Sequence, residues 1–354
     1  PTRRSSDLTD IALEFGLFDR LTGTIEYFKK DSKDLLFDVS QPASVGVTSI
    51  IQNIGKVTNS GVEIELDYNA FKNKDWSVSV GANATFVKNK IKNLPATMKE
   101  NGYISGSKKW LEGKSIYEFW LRQWHGVDPQ TGDGLYVADV SKYNQGNIGT
   151  GDGNITQSQF DEYKKTVVTI DGKELTNSYT YAKYDFSGSS IPDVYGGFNV
   201  RVSYKNFDLA AVFSYQLGGQ ILDTNYATMM SMTEFGYAQS PDLLKAWKQA
   251  GDITEVPRID NSAAHTTNIG QSYSTRWLTS SDYLNLRSVT IGYQLPKTWL
   301  SKVMLKSARL NLTAENLFML KARQGLNPMA NYSGVTYNEY MPSRNITLGL
   351  NVSF

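Results

Sequence analysis

The segment Asn345-Ile346-Thr347-Leu348-Gly349-Leu350-Asn351-Val352-Ser353-Phe354 alternates strictly between apolar residues and polar or glycine residues. Every even-numbered position from 346 to 354 is apolar. Successive side chains of a strand point to opposite sides, so this period of two predicts a β-strand with one dry and one wet face.

The same alternation recurs along most of the 354-residue chain, and roughly ten strands are predicted in all. In 283–295 the apolar positions change from even to odd around Arg287-Ser288, which predicts a β-bulge there. The alternation is clearest in 11–17, 62–70, 76–86, 194–204, 207–217, 283–295 and 309–315.

The connections between these strands alternate between short and long. Short turns are predicted near 19–21, 72–75, 204–206 and 296–306. Long loops are predicted at 38–56, 92–192, 218–281 and 321–343. This order is typical of an antiparallel meander with tight turns at one rim and elaborate loops at the other, and loops of this length usually carry function.

Composition excludes several function classes. Lys and Arg number 36 against 35 Asp and Glu, so the formal net charge of +1 gives no basic surface for nucleic acid. The absence of Cys excludes disulfides, thiolate metal sites and Cys nucleophiles. No apolar run is long enough for a membrane helix, although strands can cross a membrane with a much weaker hydropathy signal.

The fold class depends on what covers the dry faces of the strands. Tall strands with polar faces rich in Glu, Asp, Arg and Asn favour an all-β, antiparallel, up-and-down transmembrane β-barrel with long extracellular loops. The alternative is a soluble β-sandwich binding module, in which the apolar faces pack on each other. Residues 1–8 fit no strand pattern and are predicted to be a non-native or disordered leader, which leaves 9–354 as the barrel domain.

Five blocks, in order, resemble the SusC/RagA-type TonB-dependent outer-membrane transporters. The most specific block is YLNLRSVTIGYQLP at 283–296. The other blocks are KDLL at 33–36 with GKVTNSGVE at 55–63; DVYGGF at 193–198 with SYKNFDL at 203–209 and YQLGG at 215–219; AENLF at 314–318; and RNITLGLNVSF at 344–354.

The resemblance implies a barrel of about 22 strands filled by an N-terminal plug, of which this chain would form the C-terminal half. It also implies a location in the bacterial outer membrane, a SusD-like lipoprotein as a lid, and the TonB complex acting through a region before the chain. The expected activity is import of oligosaccharides or peptides, without enzymatic activity and without a cofactor. The alternative is a barrel that docks a partner without transport.

Aromatic residues in the long loops are predicted to contact the ligand or the lid protein, because flat rings stack on sugars and on peptide side chains. The alternative is that they form the small core of a folded loop. The stretch PDLLKAWKQA at 241–250 is predicted to be a short helix with Pro241 in its first turn. The contact candidates are Trp110, Trp120, Trp124, Tyr136, Tyr143, Tyr179, Tyr181, Tyr184 and Trp247.

Three further features are weaker. In the glycine-rich stretch 149–156, Asp152 and Asn154 are candidate calcium ligands, although Gln159 stands where a carboxylate is expected. The two histidines, His125 and His265, lie in loops without a visible triad. Phe354 is predicted to be an assembly signal or an interface anchor at the end of a membrane strand.

Overall fold

The computed structural model describes residues 5–40, 49–151, 153–231, 236, 238–260, 262–270, 273–300 and 305–354. Nine long strands form one antiparallel sheet. They are β1 (Ser5–Leu17), β2 (Leu21–Ser40), β3 (Ser49–Lys72), β4 (Trp76–Asn93), β13 (Val194–Tyr204), β14 (Phe207–Leu217), β17 (Tyr283–Gln294), β18 (Ser307–Lys321) and β19 (Asn345–Ser353).

The sheet has up-and-down topology, because each long strand pairs with the next long strand in the sequence. Short turns at 18–20, 73–75, 205–206 and 295–306 lie at one end of the sheet, which we call the turn rim. The last of these turns contains the helix α4 (Lys297–Leu300). The opposite end, the loop rim, carries three long loops, L1 (94–193), L2 (218–282) and L3 (322–344). The predicted meander is therefore confirmed.

The long loop predicted at 38–56 is wrong in extent. The pairing of β2 with β3 continues to Ser40 opposite Ser49, so only 41–48 connects the two strands, and that segment lies outside the described residues. Two register shifts near Leu35 interrupt the period of two, and Asp34 has a positive φ of 55°. The strand therefore continues past the point where the alternation in the sequence ends.

The bulge predicted at Arg287-Ser288 is confirmed. On one side, Ser288 pairs with Val212 while Leu286 pairs with Phe213, which leaves Arg287 without a partner in the ladder. The register also shifts at this position against β18. The extra residue keeps the apolar side chains before and after it on one face of the sheet.

One face of the nine-stranded sheet is apolar from edge to edge. Cross-strand pairs join apolar residues in every ladder, for example Leu13 with Ile25 and Leu312 with Leu348. These side chains are exposed, with 64% of Leu13 and 70% of Leu348 accessible. In the described part of the chain, the buried apolar clusters lie in the long loops and at the loop ends of β3 and β4, not on this face.

This apolar face excludes the soluble sandwich. Soluble monomers rarely expose a contiguous apolar patch larger than about 600 Å², whereas here it spans nine strands and no other described segment of the chain packs over it. A hydrocarbon environment stabilises such a face, because lipid chains cover it without competing for hydrogen bonds. The structure is therefore that of a membrane β-barrel wall.

Aromatic side chains cluster on the apolar face at the turn rim. The ring centroids of Trp76 and Tyr204 are 4.3 Å apart, and those of Phe207 and Tyr293 are 4.4 Å apart. Phe354 follows β19 at the same rim and is 77% exposed. Aromatic girdles of this kind mark the membrane–water interface of barrels. Whether Phe354 is also an assembly signal stays a prediction.

The opposite face is polar and carries direct ionic contacts. Arg309 on β18 reaches across β17 to Asp208 on β14, with 2.6 Å between Nη2 and Oδ2. The contact passes over Gly292, where a Cβ would collide with the Arg309 guanidinium, so any larger residue would block it. This face has the character of a hydrated barrel interior.

Residues 5–8 lie in β1, where Ser5 pairs with Lys33 and Leu8 with Lys30. The prediction of a disordered leader therefore does not hold for these four residues. Their predicted non-native origin stays a prediction.

The long loops contain short elements of their own. A helix was predicted at 241–250, but the structure has only a 3-10 helix over Pro241–Lys245. Ser240 caps this helix, and Pro241 lies in its first turn as predicted. The described residues contain no helix long and apolar enough to span a membrane. The strands are β5 (Tyr103–Ser105), β6 (Lys108–Trp110), β7 (Glu118–Arg122), β8 (Trp124–Val127), β9 (Gly134–Val137), β10 (Val167–Ile170), β11 (Lys173–Thr176), β12 (Tyr184–Ser189), β15 (Gln220–Leu222) and β16 (Leu278–Ser280); the helices are α1 (Gln157–Thr166), α2 (Thr224–Met229) and α3 (Ala263–Ile269).

Candidate ligand-binding site in the long loops

The three long loops share one apolar core. Phe119 and Leu121 come from L1, Trp277 from L2 and Val335 from L3, and all four are buried. A shared core makes the loops one folded unit on the loop rim, which we call the loop domain. The other buried members of this core are Leu222, Ala227, Met230, Leu243, Ala246 and Val256.

A second cluster lies wholly within L1. The rings of Tyr143 and Tyr163 stack with centroids 5.2 Å apart, and Tyr181 meets Tyr143 edge-on at 4.9 Å. Tyr163 comes from α1, whose N-terminus is fixed by a capping box between Thr156 and Gln159. L1 therefore has a core of its own in addition to the shared one.

Polar contacts also connect L2 with L3. The buried Asp223 accepts from Arg323 Nη1 at 3.1 Å and from the backbone N–H of Tyr226 at 3.0 Å. The guanidinium of Arg323 lies 3.6 Å from the centroid of the Tyr226 ring. Because a buried carboxylate needs such partners, this group fixes the relative position of the two loops.

Lys108 connects L1 with L3. Its ammonium donates to the Tyr117 carbonyl at 2.8 Å and to Ser190 Oγ at 3.3 Å, and lies 3.2 Å from the centroid of the Phe119 ring. Ser190 in turn donates to the Tyr332 carbonyl of L3 at 3.2 Å. Burial lowers the pKa of Lys108 from 10.5 to about 7.

Lys108 should make the stability of the loop domain depend on pH. Between pH 7 and 10.5 the unfolded chain keeps a proton on this lysine that the folded chain has released, so stability rises with pH across this window. Lys108→Met should remove the rise, whereas Lys109→Met, at the neighbouring half-buried lysine, should leave it. Thermal melts of the intact protein, followed by tryptophan fluorescence at a series of pH values, measure this. If stability still rose with pH to the same extent in Lys108→Met, the buried lysine would not be the source of the pH dependence.

A cavity of about 610 Å³ opens between L1 and L2. Apart from Tyr179 and His265, its lining side chains are polar and non-aromatic. A concave site with several hydrogen-bonding groups and the phenol ring of Tyr179 suits a ligand rich in hydroxyl or amide groups. The lining residues are Asp133, Thr166, Asn177, Ser178 and Tyr179 from L1, and Arg258, Ser262, His265, Thr267 and Asn268 from L2.

Asn268 of α3 holds the cavity wall together. Its side-chain oxygen accepts from the Tyr179 N–H at 2.6 Å, and its amide donates to the Gly134 carbonyl at 3.2 Å. Its backbone carbonyl accepts from the buried Tyr136 hydroxyl at 2.7 Å. Arg122 fixes the Tyr179 backbone further, because its Nε donates to the Tyr179 carbonyl at 3.0 Å.

Charged groups form the other wall of the cavity. Arg258 Nε donates to Asp133 Oδ1 at 3.0 Å, and Arg258 also bonds Asp260. His265 Nε2 lies 2.8 Å from the Arg258 carbonyl, and its Nδ1 lies 3.7 Å from the Asp133 carboxylate. The Ser262 N–H and, less strongly, Arg258 lower the pKa of Asp260. The wall thus offers fixed donors and acceptors for binding.

Of the predicted contact residues, Tyr136, Tyr143 and Tyr181 are buried in the loop domain. A ligand or a lid protein cannot reach a side chain that is covered by its own fold. These three residues follow the alternative prediction, the core of a folded loop.

The other candidates are partly accessible, but only Tyr179 lines the cavity. Trp110 packs on the cluster at the loop ends of β3 and β4. The ring of Trp124 contacts the Arg276 guanidinium, 4.6 Å from its centroid. Trp120 on β7 and Tyr184 on β12 stack on each other across two paired strands, with ring centroids 6.2 Å apart. Trp247 Nε1 donates to the Pro129 carbonyl at 2.9 Å, which directs the ring into the loop domain.

The weaker sequence features are placed as follows. His125 is exposed and His265 is buried, and Asp152 lies outside the described residues. Asn154 packs its amide close to Gly149. Within the described ranges, no group of three or more His, Cys, Asp or Glu side chains could hold a metal ion. Calcium binding stays an untested prediction.

Sequence reasoning missed Asp133, Arg258 and Asn268. Asp133 and Arg258 are separated by 125 positions, and Gly134 and Asn268 by 134. No local motif connects such residues, and only the packing of L1 on L2 brings them together.

The comparisons with known proteins agree with this fold. Residues 5–217 match the family model described as TonB dependent receptor-like, beta-barrel. TonB-dependent receptor P3 of Formosa agariphila is 28% identical over 99% of this chain, and TonB-dependent receptor SusC of Bacteroides thetaiotaomicron is 24% identical over 97%.

A solved structure of the RagAB peptide importer in its closed-closed state superimposes with a TM-score of 0.77 and 25% identity, over 99% of this chain and 35% of that one. The chain spans 34% of the Formosa agariphila relative and 31% of SusC, about a third of each. The chain belongs to the SusC/RagA-type TonB-dependent receptors and forms a part of their outer-membrane β-barrel.

Proposed function

We propose that the complete protein imports an oligosaccharide across the outer membrane in a TonB-dependent reaction, together with a SusD-like lipoprotein lid. The observation that carries this proposal is the loop domain, which holds a polar cavity on the loop rim of a barrel wall. The barrel wall supplies the passage, and the loop domain supplies part of the ligand contact. Energy transfer through TonB and closure by the lid are proposed from family membership.

A peptide is the second candidate ligand. One solved relative is described as a peptide importer, and its structure covers the whole length of this chain at 25% identity. The charged wall of the cavity, with Arg258 and Asp133, is also compatible with peptide termini and amides.

Exposed apolar residues on L2 and L3 support a protein partner at the loop rim. Ile253 is 95% exposed and Tyr340 is also 95% exposed, and neither lies in the membrane sheet. Apolar residues exposed in this way mark interaction surfaces when they occur together. We propose that these exposed residues contact the lid; Leu244, Ile259 and Tyr337 of the same two loops are also exposed.

We propose no enzymatic role. The curated relatives are described as receptors, and this proposal follows that description. The alternative of a docking scaffold without transport shares the fold with the proposed importer, so only a transport experiment separates them.

Tyr179→Ala should weaken ligand binding about two- to thirteenfold, because a stacked aromatic ring contributes about 0.5–1.5 kcal/mol beyond its buried area. The measurement uses the full-length receptor with its lid, titrated calorimetrically with a neutral oligosaccharide series and with a peptide series. Tyr103→Ala, an exposed tyrosine of L1 away from the cavity, is the matched control. Uptake of the bound series by cells carrying the intact protein distinguishes transport from docking. Unchanged affinity in Tyr179→Ala for every bound compound would contradict the site.

A further inference from the structure

The four short turns at the turn rim concentrate the positive charge of the chain. They contain six Lys or Arg residues against two Asp and no Glu, whereas L1, L2 and L3 together contain 16 Lys or Arg against 21 Asp or Glu. The formal net charge of the whole chain is only +1, so the charges are separated between the two rims. The basic residues of the turns are Arg20, Lys74, Lys205, Lys297, Lys302 and Lys306.

A band of four aromatic side chains lies on the apolar face directly beside these turns. Tyr204 of β13 pairs with Trp76 of β4 on one side and with Phe207 of β14 on the other. Phe207 in turn pairs with Tyr293 of β17. Residues that pair directly across strands lie side by side on one face, so the four rings form a continuous band. Trp76, Tyr204 and Phe207 are exposed, which leaves the band open to the membrane.

Two lysines lie just beyond one end of this band. The Lys205 N–H donates to the Asp75 carbonyl at 2.8 Å, which holds the turn after β13 against the turn after β3. Lys205 follows Tyr204 directly and Lys74 precedes Trp76 by two residues, so the backbone of each lysine lies within about 7 Å of the aromatic pair. The Lys205 ammonium is 5.2 Å from the centroid of the Tyr204 ring. Basic groups therefore adjoin the rings at the turn rim.

The charge of these lysines is not balanced within the two turns. Asp75 is the only carboxylate in 72–75 and 204–206, against Lys72, Lys74 and Lys205. In the part of the chain that the structure describes, none of the three ammonium groups forms an ion pair. All three lysines are exposed, so their charge is available to a partner outside the chain.

We propose that this part of the turn rim binds an anionic phospholipid, with the phosphate between Lys74 and Lys205 and an acyl chain along the Trp76–Tyr204 pair. Two observations select this occupant: the aromatic band is continuous with the lipid-facing sheet, and basic residues adjoin it on the side away from the hydrocarbon. Interfacial aromatic rings and basic residues near an anionic membrane surface are the groups that meet lipid head groups.

The side of the membrane follows from the turns. Short turns of outer-membrane barrels lie on the periplasmic side, so the bound lipid belongs to the periplasmic leaflet. The site is independent of the import proposed above, because it lies on the outer face of the barrel wall, at the rim opposite the loop domain.

The test uses the full-length receptor in detergent, titrated with phosphatidylglycerol or phosphatidylcholine that carries a photoreactive group on the acyl chain. Peptide mapping after illumination measures labelling of 73–76 and 204–207 as a function of lipid concentration. Phosphatidylglycerol should reach half-maximal labelling at the lower concentration. Lys74→Gln with Lys205→Gln should raise that concentration about thirtyfold for phosphatidylglycerol alone, since each basic residue contributes about 1 kcal/mol and 1.4 kcal/mol is tenfold.

Lys164→Gln with Lys165→Gln is the matched control, because it removes the same charge from α1 in L1 and should leave labelling at the turn rim unchanged. Equal labelling by the two lipids in the unchanged protein would overturn the proposal. An unchanged phosphatidylglycerol curve in the turn-rim variant would do the same. Loss of labelling when inorganic phosphate is added at the concentration of the lipid would show that phosphate alone is recognised, and would also contradict a lipid site.

Discussion

Leu348→Arg is expected to lower the free energy of unfolding of the barrel in a bilayer by about 2–4 kcal/mol. Leu348 lies near the middle of β19, pairs with Leu312 of β18 and is 70% exposed on the apolar face. Hydrocarbon cannot solvate a guanidinium, so the charge must drag water or head groups toward the membrane centre. Guanidinium-induced unfolding of the full-length receptor in phospholipid vesicles measures the loss.

Thr347→Arg is the matched control for this prediction. Thr347 precedes Leu348 on the same strand but pairs with Thr313 on the polar face, beside the Thr290–Thr313 hydroxyl contact of 3.1 Å. The same charge on a hydrated face should cost little. Equal losses in the two variants would mean that both faces are hydrated or both are covered, and the assignment of the apolar face to lipid would be lost.

Much of the barrel wall could be predicted from sequence, because its determinants are local. Side-chain alternation has a period of two whatever the partner strand, so apolar faces such as that of β19 are visible in single segments. The bulge at Arg287 was visible for the same reason, since one extra residue changes the parity of everything after it.

The extent of β2 and β3 could not be predicted in the same way. Beyond Ser32 the pairing shifts register twice within a few residues, near Leu35. Each shift changes which residues face inward, so the alternation disappears although the hydrogen-bonded ladder continues. At the loop end the apolar face also leaves the lipid, and the sequence there is no longer constrained to alternate.

The candidate site was predictable only in part, because burial in the loop domain depends on contacts between distant segments. An aromatic residue in a loop can face solvent or its own core, and composition does not distinguish the two. Tyr179 reaches the cavity whereas Tyr181, two residues later, is buried against Tyr143. The difference arises from the packing of L1 on L2, through contacts such as that of Asn268 with Tyr179.

Trp277→Ala is expected to destabilise the loop domain by about 3–5 kcal/mol, the usual cost of truncating a buried aromatic residue to alanine. Trp277 is 2% exposed, meets Tyr226 edge-on at 5.9 Å, and belongs to the core that joins L1, L2 and L3. The Arg276 guanidinium lies 4.3 Å from the centroid of its ring and would lose that contact as well. Native-state hydrogen exchange of the full-length receptor measures the change, segment by segment.

Exchange should accelerate in all three loops of Trp277→Ala while the nine-stranded sheet stays protected, because the strands are held by their own ladders and by lipid. Trp299→Ala, at a tryptophan that is 60% exposed in the turn between β17 and β18, should change exchange in neither the loops nor the sheet.

Acceleration confined to the residues around 277 would show that the loops fold separately. The shared core would then not fix the position of L1 relative to L2, and the proposed ligand site between these loops would be contradicted. If all three loops loosen together, ligand binding should be lost with them, because the packing of L1 against L2 brings Tyr179 and Arg258 together around the cavity.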